Sequence, residues 1–151
     1  MFARKFLEKA DTRIDQLADE LLAKISASGR CVDLLNRVPA REQHESMRRI
    51  LRDMSDWLLN QQKSVDEKYY VELGKLRAQR GVPFSDLLSG VCTAREYFWE
   101  YVEQETLFDQ PTDFWGGVKL LHALDSCLDA AIYYAAIGYR QVADAGNAFA
   151  A

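Results

Sequence analysis

The sequence predicts an all-α fold in a single domain, arranged as a five-helix globin-like stack or helical bundle. Apolar residues recur at steps of three and four along five segments, the pattern of helices with one buried face. No segment alternates apolar and polar residues as a strand does. The 151 residues include only 3 Pro and 8 Gly, and a chain of this length corresponds to one domain. Helical periodicity leaves the choice between stack and bundle open.

Two helices are predicted before residue 61. The first covers about residues 4–27, and Gly29 favours its end. A connector over residues 30–39 contains one short apolar turn. The second helix covers about residues 40–60, and Pro39 precedes its start because proline has no amide hydrogen to leave unpaired there.

The third helix has signals at both ends. Ser64 and Glu67 have the spacing of a capping box, in which each side chain accepts a backbone N–H at the start of a helix. Gly81 suits the position after a helix end, and Pro83 blocks continuation. The sequence therefore predicts a helix from residue 64 to the residues before Gly81.

Two longer helices complete the chain. The fourth begins near Ser85, and the fifth covers about residues 113–139, with Val118 among its inward-facing positions. A loop over residues 106–113 separates them. We therefore expect a helical domain over residues 1–140 and a flexible C-terminal tail over residues 141–151.

Charge and apolar content exclude several classes of protein. The net charge is −4, and residues 81–151 hold 3 Lys and Arg against 10 Asp and Glu. Such an acidic half repels phosphate groups, so no nucleic-acid partner is expected. No stretch of about 18 uncharged apolar residues predicts a membrane span. A cytoplasmic location is therefore expected.

Few residues could hold a metal or perform catalysis. The cysteines are odd in number and lack the spacing of a disulfide framework or a zinc site. Neither His44 nor His122 has Glu three residues before it, which excludes a ferritin-like di-iron site. His122 could serve as one axial haem ligand. We expect no enzymatic activity, no metal and no cofactor; binding of haem or a small ligand is the alternative.

Arg95 falls on the apolar stripe of the fourth helix, so its guanidinium is expected close to the core. A buried guanidinium needs a carboxylate, a carbonyl or an anionic ligand. Asp125 on the fifth helix is the predicted ion-pair partner, and separating the pair is expected to cost about 3–5 kcal/mol. Arg95, Trp99 and His122 are the candidate ligand-binding residues.

Aromatic residues are concentrated on the last two helices, in more positions than one face of each helix can bury. Surplus aromatic surface is typical of an interface. The sequence therefore predicts a strong homodimer. The candidate interface residues are Tyr133, Tyr134 and Tyr139.

Residues 70–99 carry a resemblance to a known family. This segment has a helix ending in Arg, a Gly-x-Pro hinge, a Leu-rich helix start and an Arg before an aromatic residue. It resembles the N-terminal sensing domain of RsbR/RsbRD-type stress regulators and, more distantly, the input regions of PucR-like regulators. The matching positions are Arg77, Gly81, Pro83, Leu87, Leu88, Arg95 and Trp99.

The resemblance implies a non-haem, globin-like helical sensor that dimerises and signals through a protein partner. The expected function is therefore non-enzymatic: signal transduction in a stress response, with a small-molecule ligand possible. In this family the domain usually precedes a STAS output domain. The chain is expected to be either a stand-alone sensor or part of a longer protein.

Overall fold

The computed structural model describes residues 2–59, 65–106 and 111–150, and within these ranges it contains seven α-helices and no strand. The predicted all-α fold is confirmed. The helices are α1 Phe2–Thr12, α2 Ile14–Ser28, α3 Val32–Arg37, α4 Ala40–Leu59, α5 Glu67–Gln79, α6 Phe84–Thr106 and α7 Pro111–Ala150.

Two of these helices account for the difference from the five predicted. The first predicted helix is divided at Arg13, whose φ of −117° and ψ of 18° leave the helical region. The division lets α1 pack on α4 and α7 while α2 packs on α4 and α6. The connector also forms α3, because the Asp86 carboxylate accepts the backbone N–H of Leu34 at 3.1 Å and satisfies its first turn.

The boundaries of α5 follow local signals. Asp66 caps its start by accepting the backbone N–H of Tyr69 at 3.2 Å. Ser64, the predicted cap, lies outside the described residues. The predicted end is confirmed, since Gly81 adopts a φ of +72° and the N–H of Val82 bonds to the carbonyl of Arg77 at 3.1 Å.

The last helix is longer than predicted at both ends. It begins at Pro111, a residue suited to the first helical position, and continues through Ala150. Its buried stripe includes Leu120, Leu124 and Leu128. Val118, predicted to face inward, is exposed, because two residues turn a helix by about 200° from Leu120. The flexibility of residues 141–151 remains a prediction.

The core lies where α2, α4, α6 and α7 meet, around fully buried Leu17, Met54, Phe98 and Leu124. On one side of it, α5 packs closely along α7. A Cβ atom at Gly74 would lie 1.9 Å from the carbonyl oxygen of Ala135, and one at Gly138 would lie 1.8 Å from that of Val71. Backbone touches backbone at this crossing, which therefore requires both glycines.

Candidate functional site

An apolar cavity of about 180 Å³ lies between α2, α3, α4, α5, α6 and α7 and is partly open to solvent. The core-facing stripes of these helices form the wall of the cavity. Each contributes at least one aliphatic side chain to the wall. These include Leu22, Met47, Leu73, Val91 and Ile132.

Four polar side chains also line the cavity, and each bonds to another protein group. Gln43 Nε2 donates to the carbonyl of Val38 at 3.0 Å, and Ser46 Oγ donates to the carbonyl of Glu42 at 3.0 Å. The other two are Tyr70 and Arg77, which bond to carboxylates. The wall therefore presents mainly apolar surface to anything that enters.

Arg77 is the most deeply buried cation beside the cavity, at 3% exposure. Its Nη1 lies 3.2 Å from Glu42 Oε2, and Arg80 donates to both oxygens of Glu42 at 2.5 and 2.6 Å. The hydrogen bond from Arg80 is the main cause that lowers the pKa of Glu42. Burial lowers the pKa of Arg77, and Glu42 opposes that effect. One carboxylate thus holds two guanidinium groups together.

Tyr70 donates its hydroxyl to Asp53 Oδ2 at 2.7 Å, inside the protein. Burial raises the pKa of Asp53, although the hydrogen bond from Tyr70 and the charge of Arg49 oppose the shift. Burial also raises the pKa of Tyr70 well above its ordinary value. The phenol therefore stays protonated and acts as a donor, which makes it a poor ligand for a metal or a haem iron.

Two of the predicted ligand-binding residues meet the predicted ion-pair partner at the α6–α7 boundary. Arg95 Nε lies 3.2 Å from Asp125 Oδ1 without aiming its N–H at it, and Trp99 Nε1 donates to the same oxygen at 3.2 Å. Arg95 also reaches Asp129 Oδ1 at 2.5 Å. His122 is exposed. None of Arg95, Trp99 and His122 belongs to the cavity wall.

Arg95 lies nearer the surface than the sequence predicted. Its side chain is 35% exposed, and that of Asp125 is 33% exposed. A long side chain can leave an apolar stripe and bring its charged end to solvent where two helices meet. The pair is therefore worth less than a buried ion pair.

We expect Arg95→Met to lower the free energy of unfolding by about 1 kcal/mol, because a pair this exposed is screened by water. Urea denaturation of Arg95→Met, Asp125→Asn and the double variant measures the coupling between the two side chains. The control is Arg140→Met, whose partner Asp144 lies on the same exposed helix end; a change within about 0.5 kcal/mol is expected there. A coupling energy above about 3 kcal/mol would contradict this expectation, because only a buried ion pair has a value that large.

The three candidate interface tyrosines have different environments. Tyr134 donates to Glu67 at 2.9 Å, and Tyr139 donates to the carbonyl of Val82 at 2.7 Å. Both hydroxyls therefore join α7 to the α5 region of the same chain. Tyr133 is 62% exposed.

Arg77 was named from the sequence only as a position of the family resemblance, although its place on the helix also indicates burial. Arg77 follows Tyr70 and Leu73 at helical spacing, so it falls on the apolar face of its helix just as Arg95 does. No local pattern in the sequence indicated the cavity, because its formation depends on how six helices meet.

The described ranges hold no cluster of metal ligands, but they include one long apolar helical segment. No group of three or more His, Cys, Asp or Glu residues there could hold a metal ion. By length and composition, the segment Phe114–Gly146 could cross a membrane, contrary to the sequence expectation. The core helix of a soluble protein meets the same criterion, and this segment supplies Leu120, Leu124 and Cys127 to the core.

Comparison with known proteins gives one family. Residues 15–146 match the model described as the RsbT co-antagonist protein RsbRD N-terminal domain. Neither a curated protein nor a solved structure matches the chain. The matched range contains every residue of the cavity wall, together with Arg95 and its partners Asp125 and Asp129.

Proposed function

The chain belongs to the family of RsbT co-antagonist protein RsbRD N-terminal domains, and from this membership we propose a sensory and regulatory domain without catalytic activity. It acts in the cytoplasm through self-association and through a signalling protein. The family description refers to action on a protein, RsbT, so a partner of that kind is the expected target. The family match over residues 15–146 is the observation that carries this proposal.

The chemistry of the described side chains supports a role other than catalysis. Burial raises the pKa of the Cys127 thiol to about 12, so it is not a reactive thiolate. His122 is exposed and does not line the cavity. Since Tyr70 and Arg77 are already bonded to carboxylates, the cavity offers no general acid or base ready for a substrate.

Haem binding has little support in the same wall. Neither His44 nor His122 lines the cavity, and Tyr70 keeps its proton in the bond to Asp53. The expectation that the chain carries no cofactor remains a prediction. The apolar cavity supports the other part of that alternative, the binding of a small molecule other than haem.

The proposed dimer forms through the α6–α7 face, which we define as the exposed Leu88, Trp99 and Tyr133 around the pair of Arg95 and Asp129. The contacts of Arg95 with Asp129 and of Trp99 with Asp125 show that α6 and α7 run antiparallel here. Leu88 and Tyr133 therefore extend in the same direction from the ion pair.

A second copy of the chain suits this face. Leu88 is 43% exposed, Trp99 39% and Tyr133 62%, so apolar surface is available on both helices. The face also carries both signs of charge, in Arg95 and Asp129. A two-fold axis through such a surface can place each charge opposite its complement.

We expect light scattering to find a dimer at tens of micromolar and a monomer after Leu88→Asp with Tyr133→Asp, because both changes bury charge at the contact. Helicity in circular dichroism should persist, since both side chains are exposed in the monomer. Tyr134 and Tyr139 are unsuitable for this test because their hydroxyls bond within the chain.

Trp115→Asp is the matched control, since Trp115 is 66% exposed at the start of α7 and lies outside the α6–α7 face. It should remain dimeric. A monomer for the unmutated chain contradicts the proposed dimer, and dissociation by the control alone would place the contact elsewhere.

A further inference from the structure

We propose that the cavity between α2, α3, α4, α5, α6 and α7 binds a small neutral apolar molecule of about the size of a benzene ring. An apolar cavity of roughly 150 Å³ in another protein accepts benzene, and this one has about 180 Å³. Side chains around an empty space lose contacts that an apolar ligand restores. The volume of the cavity therefore fits a ligand of about this size.

The wall determines the chemical class. Aliphatic side chains from all six helices line most of the cavity. The four polar exceptions already bond to protein groups: Gln43 and Ser46 to backbone carbonyls, Tyr70 to Asp53 and Arg77 to Glu42. A polar ligand would lose its bonds to water and gain few in return. A neutral apolar ligand avoids that cost.

An anionic ligand is the competing class, because Arg77 and Arg80 together carry one more charge than Glu42. The geometry disfavours it. Both oxygens of Glu42 are held by Arg80, and Arg77 bonds to one of them. A carboxylate ligand would therefore compete with a chelated internal carboxylate.

The cavity lies beside the α6–α7 face, since successive residues of a helix point about 100° apart. Ala94, Leu128 and Ile132 line the cavity, and each immediately precedes a residue of that face along its helix. A ligand that shifts these turns would alter self-association, and by linkage self-association would alter ligand affinity. This consequence rests on the proposed function, whereas binding itself does not.

Methyl NMR of methionine with benzene as the probe tests the location on the unmutated chain. Met47 lines the cavity, and Met54, two turns further along the same helix, is buried outside its wall. Benzene should shift the Met47 methyl resonance and leave that of Met54 nearly unchanged. It should also raise the melting temperature, since a ligand that binds the folded state stabilises it.

Gly90→Leu tests the same site by filling it. A Cβ atom at Gly90 would meet only Leu34 Cδ2, at 3.4 Å, an ordinary contact. The variant should remain folded and bind benzene at least about tenfold more weakly. Gly146→Leu is the matched control, because a Cβ atom there meets nothing within 4 Å; its benzene affinity should equal that of the unmutated chain.

Three outcomes overturn the proposal: no Met47 shift near the solubility limit of benzene, equal affinity in Gly90→Leu and the unmutated chain, or benzoate binding more tightly than benzene. Tighter binding of benzoate would indicate that the cavity binds an anion through Arg77. Repeating the titration on the chain with Leu88→Asp and Tyr133→Asp separates the two proposals. If this variant binds benzene and the unmutated chain forms no dimer, the proposed dimer is rejected and the proposed ligand site is retained.

Discussion

Replacing Gly138 with alanine is expected to lower the free energy of unfolding by about 3 kcal/mol, because backbone atoms of α5 already occupy the space that the new methyl group needs. The new Cβ atom would lie 1.8 Å from the carbonyl oxygen of Val71, on the neighbouring helix. A rotamer change cannot relieve a clash with backbone, so α5 and α7 must separate. Gly74→Ala, which meets the carbonyl of Ala135 at 1.9 Å, should behave in the same way.

Gly146→Ala is the control for Gly138→Ala. It lies on the same helix, and a Cβ atom there meets nothing within 4 Å. Since alanine favours a helix over glycine by up to about 1 kcal/mol, no loss of stability is expected. Urea denaturation measures both variants. Equal stability of Gly138→Ala and Gly146→Ala would show that the two helices are not in backbone contact.

Replacing Glu42 with alanine is expected to cost about 3 kcal/mol, because it leaves the buried guanidinium of Arg77 without its carboxylate. The value is at the lower end for a broken buried pair, since the Glu42 side chain is 31% exposed. Adding Arg77→Met should recover much of the loss, because the unpaired charge is then removed. Glu45→Ala, on the exposed side of the same helix, should change stability by no more than about 0.5 kcal/mol.

The cost of Glu42→Ala should depend on pH. The arginines lower the pKa of Glu42 in the folded state below its ordinary value of 4.5. The stabilising contribution of this carboxylate is therefore complete above pH 4.5 and is lost as the pH falls through the lower, folded-state value. Urea denaturation at pH 7 and in acid measures this. A difference between variant and unmutated chain that stays constant, or grows, in acid would contradict the assigned role of Glu42.

The resemblance in residues 70–99 predicted the family, and the match over residues 15–146 confirms it. Gly81 shows why the helix end in this segment could be predicted from the sequence. Its positive φ and the capping bond of Val82 to Arg77 involve neighbours along the chain, and Gly-x-Pro is a local signature of such an end. Arg95 shows what the sequence could not predict. Its place on the stripe was visible, whereas its exposure depends on how far α6 lies from α7.

The sequence by itself determined the helical class, most helix positions and the family, because apolar spacing and end signals act within a few residues along the chain. Only the tertiary structure decided that α3 forms against Asp86, that Glu42 of α4 pairs with Arg77 of α5, and that Gly74 and Gly138 bring backbones into contact. The cavity belongs to this second group. Its volume is set by the separations and crossings of six helices, which no local spacing of residues specifies.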